Sequence, residues 1–288
     1  MWIVLMLVAA LCQALKDLYL KRSVKGVEPV AVTWAYCLGT TLFLTVPVLA
    51  EPMPTLRPGF WTAIGVMGPL AALTLYLYVK ALESSDLSLA APMLTATPLF
   101  LLITSPLILG EFPDPAGIVG IACIVGGSYV LNLAKARRGS PLEPFRALMR
   151  DKGARLMLLV AFLWSVSANI DKVGLRNASP MFWILCAFGV TTAWLTPMVW
   201  RLSSRGFGQV RARPAELAAA GFLEAVTCWC QMQALTMAIV PYVISVKRMS
   251  AVFAVLLGWL VLREGNVRER LAGAALMVVG VFLIAFLG

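Results

Sequence analysis

The sequence predicts an all-α polytopic membrane protein, with ten transmembrane helices in two inverted five-helix repeats. Three observations indicate this class: 60% of the 288 residues are apolar, only 13% are charged, and the mean hydropathy is +0.87. A soluble domain carries about 25% charged residues, and a water-soluble globule of this length could not bury so much apolar surface. A spanning helix needs ~20 residues, so ten spans leave no room for a soluble domain.

Apolar stretches bounded by charges or turn residues define the spans in order. The first repeat (1–134) contains spans predicted at 1–20, 29–49, 59–82, 87–109 and 115–134. The second repeat (154–288) contains spans predicted at 154–173, 180–200, 215–238, 240–262 and 268–287. A basic linker, 135–153, separates them. The chain starts without a basic leader region, so its first apolar stretch is interpreted as a helix and not as a signal peptide.

The two halves repeat one another at a nearly constant spacing. Equivalent residues stand 151 positions apart early in each half and 153 positions apart later: Lys21 and Lys172, Pro29 and Pro180, Glu111 and Glu264, Gly120 and Gly273, Gly127 and Gly280. Five spans per half is an odd number, so the second half is expected to lie upside down relative to the first. Inverted repeats of this kind build secondary transporters, which bind their substrate near the midplane between the halves.

Loop charges predict the orientation in the membrane. Seventeen lysines and arginines fall in loops on one side and three on the other, and the positive-inside rule places the richer side in the cytoplasm. Both termini are therefore expected outside. The lack of a transit-like leader favours a bacterial inner (plasma) membrane, and the net charge of +10 is interpreted as a topology signal and not as nucleic-acid binding.

The residue content argues against an enzyme. The chain has no histidine, which removes the commonest general base and metal ligand. Its six cysteines have no metal-ligand spacing. We therefore expect no catalytic residues, no metal and no cofactor, and we expect a small-molecule substrate and the lipid bilayer as the partners of the chain.

Adjacent cations in the ninth span are the leading candidates for a substrate site. Lys247 and Arg248 lie ~10–12 Å from the start of that span, inside a hydrocarbon slab ~30 Å thick. Ionisable groups at such depth are costly and usually mark a pathway. An arginine fork suits a carboxylate or phosphate, and a lysine supplies a point charge, so the pair predicts an anion site. A structural ion pair with Glu224 or Asp17 is the alternative.

Polar and aromatic residues on four other spans complete the candidate substrate-binding set: Glu224 and Gln231 on the eighth span, Lys16 and Asp17 on the first, Tyr76 and Lys80 on the third, Trp164 and Asn169 on the sixth. Glu224 either carries a proton or balances a cation. The lysines near span ends can instead snorkel to the interface, and Asn169 can instead hydrogen-bond between helices. Among six charged residues within the predicted spans, the cations exceed the acids by two, which favours an anionic substrate. The residues counted are Lys16, Lys80, Lys247, Arg248, Asp17 and Glu224.

Several motifs resemble the drug/metabolite transporter superfamily, and specifically its EamA-like branch. They are the LGE of Leu109–Glu111 and the LREG of 262–265, which end the fourth and ninth spans, and the FLWS of Phe162–Ser165. The resemblance implies a central cavity lined by spans 1, 3, 4, 6, 8 and 9, and often a homodimer contact through the glycine-bearing spans 5 and 10. Members of this superfamily carry amino acids, choline-like amines, drugs, sugar nucleotides and sugar phosphates.

The segment SVKRMS, Ser245–Ser250, is also similar to the Lys-Arg pair with which plastid triose-phosphate translocators hold a phosphate. Leu94 stands where those translocators have a lysine on the fourth span. The sequence therefore favours a secondary transporter that exchanges a small organic anion, phosphorylated or carboxylated, by alternating access. A proton-coupled exporter of amino acids, amines or drugs, driven through Glu224 or Asp17, is the alternative.

Overall fold

The computed structural model describes residues 1–84, 93–135, 151–262 and 267–287, and these residues form helices without any strand. Eleven α-helices run through the described part of the chain: α1 (Trp2–Ser23), α2 (Pro29–Leu49), α3 (Gly59–Ser84), α4 (Thr97–Leu109), α5 (Pro115–Lys135), α6 (Lys152–Leu175), α7 (Pro180–Leu202), α8 (Pro214–Met237), α9 (Val240–Lys247), α10 (Ser250–Leu262) and α11 (Val267–Phe286). By length and composition, α1, α2, α3, α6 and α7 can each cross a membrane. The all-α, multi-span class is confirmed.

Helix boundaries follow from local residue chemistry. Proline occupies the first helical position of α2, α5, α7 and α8, where its missing N–H is not needed and its fixed φ suits the first turn. The Asp151 side chain accepts a hydrogen bond from the Ala154 amide at 2.7 Å and caps the start of α6. Gly110, with φ of 71°, ends α4 in the left-handed conformation.

Two of the predicted spans are interrupted at equivalent places. The ninth span was expected to be continuous over 240–262, and this prediction is wrong: α9 ends at Lys247, residues 248–249 form a turn, and α10 begins at Ser250. In the fourth span, a turn at 95–96 precedes α4. This turn lies 153 positions before the turn at 248–249, which is the spacing of the repeat. The predicted start of the fourth span (87–92), most of the linker (136–150) and residues 263–265 of the LREG motif lie outside the described residues.

Helix packing respects the duplication. In order, the first five helices correspond to α6, α7, α8, the α9–α10 pair and α11. Helix α1 packs along α8, and its equivalent α6 packs along α3; α2 packs on α7, and α5 on α11. The equivalent residues Thr41 and Thr192 face each other across the α2–α7 contact, with hydroxyl oxygens 3.5 Å apart. The two halves are thus related by a pseudo-twofold arrangement.

The glycines of the last helix in each half serve contact within the chain. A Cβ atom on Gly127 would lie 2.5 Å from the Gly273 carbonyl oxygen, and one on Gly280 would lie 2.5 Å from the Gly120 carbonyl oxygen. Only glycine permits such an approach of two helix backbones. These glycine faces of α5 and α11 therefore bind each other, and a homodimer would have to use other faces of the two helices.

A glutamate fastens the α1–α2 turn to the segment between α7 and α8. The Glu28 carboxylate accepts hydrogen bonds from the hydroxyls of Ser203 and Ser204 and, at 3.0 Å, from the Gln209 side-chain amide. The Glu28 backbone N–H donates to the Gln209 side-chain oxygen at 2.8 Å. These donors, Ser203 foremost, hold the pKa of Glu28 at about 2, below its ordinary value. The loops of the two halves are therefore joined at this end of the molecule.

Candidate functional site

A cavity of about 140 Å³ lies between the two halves. A water molecule occupies roughly 30 Å³ in the liquid, so the cavity has room for a few waters or one small organic molecule. Helices from both halves line it, and its charged and amide side chains are Gln13, Lys16, Asp17, Asp171, Glu224, Gln231, Lys247 and Arg248. Helix α7 also contributes residues of its wall, among them Phe188 and Thr191, so the lining extends beyond the spans that the resemblance implied.

The cavity contains the turn that interrupts the ninth span. Lys247, Arg248 and Ser250 all line it, as do Leu94 and Thr97 at the equivalent turn in the fourth span. Discontinuous spans at corresponding positions of two repeats are a common construction for transporter binding sites. The duplicated interruption therefore coincides with the candidate site.

Lys16 and Glu224 form an ion pair that joins α1 to α8. The Lys16 Nζ lies 2.6 Å from a Glu224 carboxylate oxygen, and both side chains are almost fully buried. Lys16 also donates to the Gln13 side-chain oxygen at 3.2 Å, and its Nζ lies 5.9 Å from the Tyr78 ring centroid. Glu224 therefore makes its direct ion pair with Lys16, and not with Lys247 or Arg248 as the sequence alternative proposed.

Asp17 is held by two neutral donors on the same wall of the cavity. The Tyr78 hydroxyl donates to Asp17 Oδ1 at 2.6 Å, and the Gln13 side-chain amide donates to the same oxygen at 2.7 Å. Tyr78 itself is fully buried and belongs to α3. Asp17 thereby links α1 to α3 through hydrogen bonds that fix the carboxylate without neutralising it.

Lys247 and Arg248 have neutral partners. Lys247 Nζ donates to the Gln231 side-chain oxygen at 2.7 Å. Arg248 Nη1 lies 3.5 Å from the Leu94 carbonyl oxygen, and its guanidinium carbon lies 5.9 Å from the Trp164 ring centroid, within cation–π range. The buried Arg248 Nε has no hydrogen-bond partner. Within the described residues no carboxylate lies within ion-pair distance of either cation.

Asp171 is a cavity residue that the sequence analysis did not select. It lines the cavity from α6, and its Oδ1 accepts a hydrogen bond from the Trp183 indole N–H at 2.9 Å. A signal was present, because Trp164, Ser167, Ala168 and Asp171 recur at i, i+3, i+4 and i+7 and share one helix face.

Three of the ten candidate residues lie outside the cavity lining. Lys80 Nζ donates to the Tyr76 hydroxyl at 3.2 Å and lies 5.3 Å from its ring centroid. Asn169 donates to the Thr104 hydroxyl at 3.0 Å and to the Ser165 carbonyl at 2.8 Å, which is the interhelical bonding that the sequence alternative described. A substrate-binding role for these three residues stays a prediction without support from cavity geometry.

The expected surplus of positive charge does not hold for the cavity. Lys80 lies outside the lining and Asp171 inside it, so three cations face three carboxylates there. The surplus was an artefact of counting by position in the span, since depth alone does not tell which face of a helix a charge occupies. Any preference for an anion must therefore come from how the individual charges are paired.

Glu111, which recurs as Glu264 in the second half, belongs to an ion network at the C-terminal end of α6. Glu111 accepts a hydrogen bond from the Val240 amide at 3.0 Å, at the start of α9, and its carboxylate lies 3.3 Å from Arg176 and 3.5 Å from Lys172. Lys172 also donates to the Leu235 carbonyl at 2.6 Å. Glu111 thus caps α9. Glu264 lies outside the described residues.

Comparisons with known proteins agree with this architecture. The EamA-like transporter family profile matches residues 1–133 and 151–286, one match per repeat. A solved structure titled "Crystal structure of protein" is similar to this chain, with a TM-score of 0.74 and 19% sequence identity. The match covers 99% of this chain and 96% of the chain in that structure. No curated protein matches the sequence. The chain therefore belongs to the EamA-like transporter family and is a membrane transporter of small molecules.

Proposed function

We propose that the protein exchanges small organic anions, phosphorylated or carboxylated, across the membrane. One observation carries this proposal: Lys247 and Arg248 stand together at the interruption of the ninth span, on the cavity wall, with only an amide, a carbonyl and an indole face as described partners. A buried cation without a counter-charge is strongly unfavourable. An anionic group of the substrate would supply that counter-charge.

Exchange follows from the same electrostatics. Alternating access moves the two repeats around a site near the midplane. With the site empty, reorientation would carry two cations through a low-dielectric interior with no carboxylate from the described part of the chain in direct contact with either, which raises the barrier. With an anion bound, both cations gain a direct ionic partner and the barrier falls. Net uniport is therefore expected to be much slower than exchange.

Uptake into proteoliposomes tests this proposal. Labelled sugar phosphate should enter vesicles that contain unlabelled sugar phosphate and should scarcely enter empty ones. Lys247→Ala and Arg248→Ala should each weaken transport at least about thirtyfold, since truncating one partner of a buried charge pair costs ~2–5 kcal/mol. Lys80→Ala is the matched control, because Lys80 is an intramembrane lysine outside the cavity lining. Unchanged transport in both cavity variants would remove the anion site.

A proton-coupled exporter of amino acids, amines or drugs is the second candidate. The observation that favours it is the presence of three carboxylates in the cavity lining, Asp17, Asp171 and Glu224. For this function, transport should follow an imposed proton gradient. Asp17→Asn or Glu224→Gln should abolish that dependence, whereas loss of Lys247 should leave it intact.

The orientation and location belong to the proposal as well. We propose a bacterial inner membrane with both termini outside and the 135–153 linker in the cytoplasm, on the strength of the loop charges. Reporter fusions in that linker test the orientation. Activity in the linker of a reporter that works only outside the cytoplasm would contradict the proposed orientation.

A further inference from the structure

We infer that Asp171 is a specificity residue that accepts a hydrogen bond from a donor group on the substrate, a protonated amine or a hydroxyl, while Lys247 and Arg248 hold the anionic group of the same molecule. This inference rests on the proposed function, because it takes Lys247 and Arg248 as the anion-binding end of the cavity. It narrows the substrate to bifunctional molecules.

Asp171 is fixed in position by a clamped tryptophan. Trp183 is fully buried, and its ring packs in T-shaped contact with Phe60, 5.9 Å between centroids. Gly174, one turn after Asp171 on α6, makes room for the ring: a Cβ there would lie 2.2 Å from Trp183 Cδ2. The indole N–H is thereby held where it donates to Asp171 Oδ1 at 2.9 Å. Trp183, whose ring is fixed by packing, thereby holds the Asp171 carboxylate in one orientation before a ligand binds.

One carboxylate oxygen remains available. Asp171 Oδ2 receives no hydrogen bond from any residue in the described ranges, and Asp171 lies on the cavity wall. A carboxylate oxygen can accept about two hydrogen bonds, so the free oxygen is a preset acceptor. Because Oδ1 already has its partner in Trp183 and Asp171 lines the cavity, Oδ2 is the acceptor that a ligand in the cavity could use.

Lys247 and Asp171 each have a neutral hydrogen-bond partner. Lys247 and Asp171 line the same space, yet Lys247 is engaged by Gln231 and Asp171 by Trp183, and no ion pair joins the two in the described chain. Two free opposite charges in a low-dielectric space attract strongly. Because each charge is hydrogen-bonded to a neutral partner and not to the other, the cavity offers a ligand both a cation and a carboxylate acceptor. A ligand with an anion at one end and a donor at the other matches both.

Two ligand series, each with a constant number of carbon atoms, test the inference on the full chain in nanodiscs, by calorimetric titration. The phosphate series is ethyl phosphate, 2-hydroxyethyl phosphate and 2-aminoethyl phosphate. The carboxylate series is propionate, 3-hydroxypropionate and β-alanine. In the series that binds, the members with a donor should bind about tenfold or more tightly than the member without one, which corresponds to ~1.4 kcal/mol. Comparing the affinities of the hydroxyl and the amine member shows which of the two donor groups Asp171 prefers.

Asp171→Asn is the decisive variant. The asparagine oxygen can still accept from Trp183, and the free position changes from an acceptor to an NH₂ donor. The preference for hydroxyl and amine ligands should therefore disappear. Binding of ethyl phosphate or propionate should be unchanged or tighter, because a negative charge has been removed. Trp183→Phe, which keeps the carboxylate and removes its clamp, should reduce the preference without abolishing anion binding.

The outcomes separate this inference from the proposed function. Lys247→Ala should weaken all members of the binding series alike. If the wild-type chain binds all three members equally, or if Asp171→Asn weakens all three equally, the role of Asp171 is refuted and the anion site stands. If the wild-type chain binds no member of either series, the anion site fails, and the role of Asp171 fails with it.

Discussion

Replacing Gly127 by alanine should weaken the contact between α5 and α11. The new Cβ would lie 2.5 Å from the Gly273 carbonyl oxygen and 2.8 Å from the Met277 amide nitrogen. Ordinary contacts of a Cβ begin near 3.4 Å, so the helices would have to separate by about 0.9 Å at this point. Both neighbours are backbone atoms, which cannot rotate away as a side chain can. The whole helix must move.

The expected cost combines two opposing effects. Overpacking a close contact costs ~1–3 kcal/mol, and alanine in place of glycine within a helix returns up to ~1 kcal/mol. Because the clash involves two backbone atoms, the cost belongs in the upper part of its range. We therefore expect the free energy of unfolding to fall by about 1–2 kcal/mol.

Gly126→Ala is the matched control, one residue away on the same helix. Its Cβ would meet only Leu276 Cδ2, at 3.8 Å, an ordinary contact. This variant should be as stable as the wild type or up to ~1 kcal/mol more stable. Reversible unfolding of the purified chain in mixed micelles, followed by circular dichroism, measures both. Equal stability of the two variants would refute the close approach of α5 and α11.

Three further predictions concern polar contacts. Glu28 has a pKa of about 2 in the folded chain, so its contribution to stability should be complete above pH ~4.5 and be lost as the pH falls towards 2; the difference in melting temperature between wild type and Glu28→Gln should shrink from pH 7 to pH 3, and a constant difference contradicts it. Glu224→Gln leaves Lys16 buried without the partner of its ion pair and should lower the free energy of unfolding by ~3–5 kcal/mol. The double variant Lys16→Met/Glu224→Met should recover most of that loss. Equal losses of stability in the single and the double variant would refute the ion pair. Glu111→Ala removes the cap of the Val240 amide and should cost ~1 kcal/mol, measured by the same unfolding; no change would mean that solvent caps α9 equally well.

The spans were predictable because hydropathy acts over whole segments. The boundary prolines Pro29, Pro115 and Pro180 begin α2, α5 and α7 as expected, since proline at the first helical position depends only on local geometry. The interruption at 248–249 was not predictable. The sequence there, Lys-Arg-Met-Ser, has no glycine or proline, and its counterpart at 95–96 shows a signal only in Pro98, which disfavours helix in the residue before it.

The pairing of buried charges was beyond reach for a different reason. Lys16 and Glu224 are 208 positions apart and lie in different halves, so their meeting depends on how α1 packs on α8. Depth along a span could be estimated from residue number, but the direction of a side chain could not. For that reason Lys80 was expected at the cavity and Asp171 was not.

Duplication and divergence have contributed different parts of the candidate site. Both halves have the interruption, but Leu94 and Thr95 stand in the first where Lys247 and Arg248 stand in the second. The first half therefore supplies a backbone acceptor, the Leu94 carbonyl that Arg248 approaches at 3.5 Å, and the second half supplies the charge. An anion that drew Arg248 away from this carbonyl would loosen a contact between the two halves. Substrate binding and the relative motion of the repeats would then act on the same guanidinium, which is the coupling that alternating access requires.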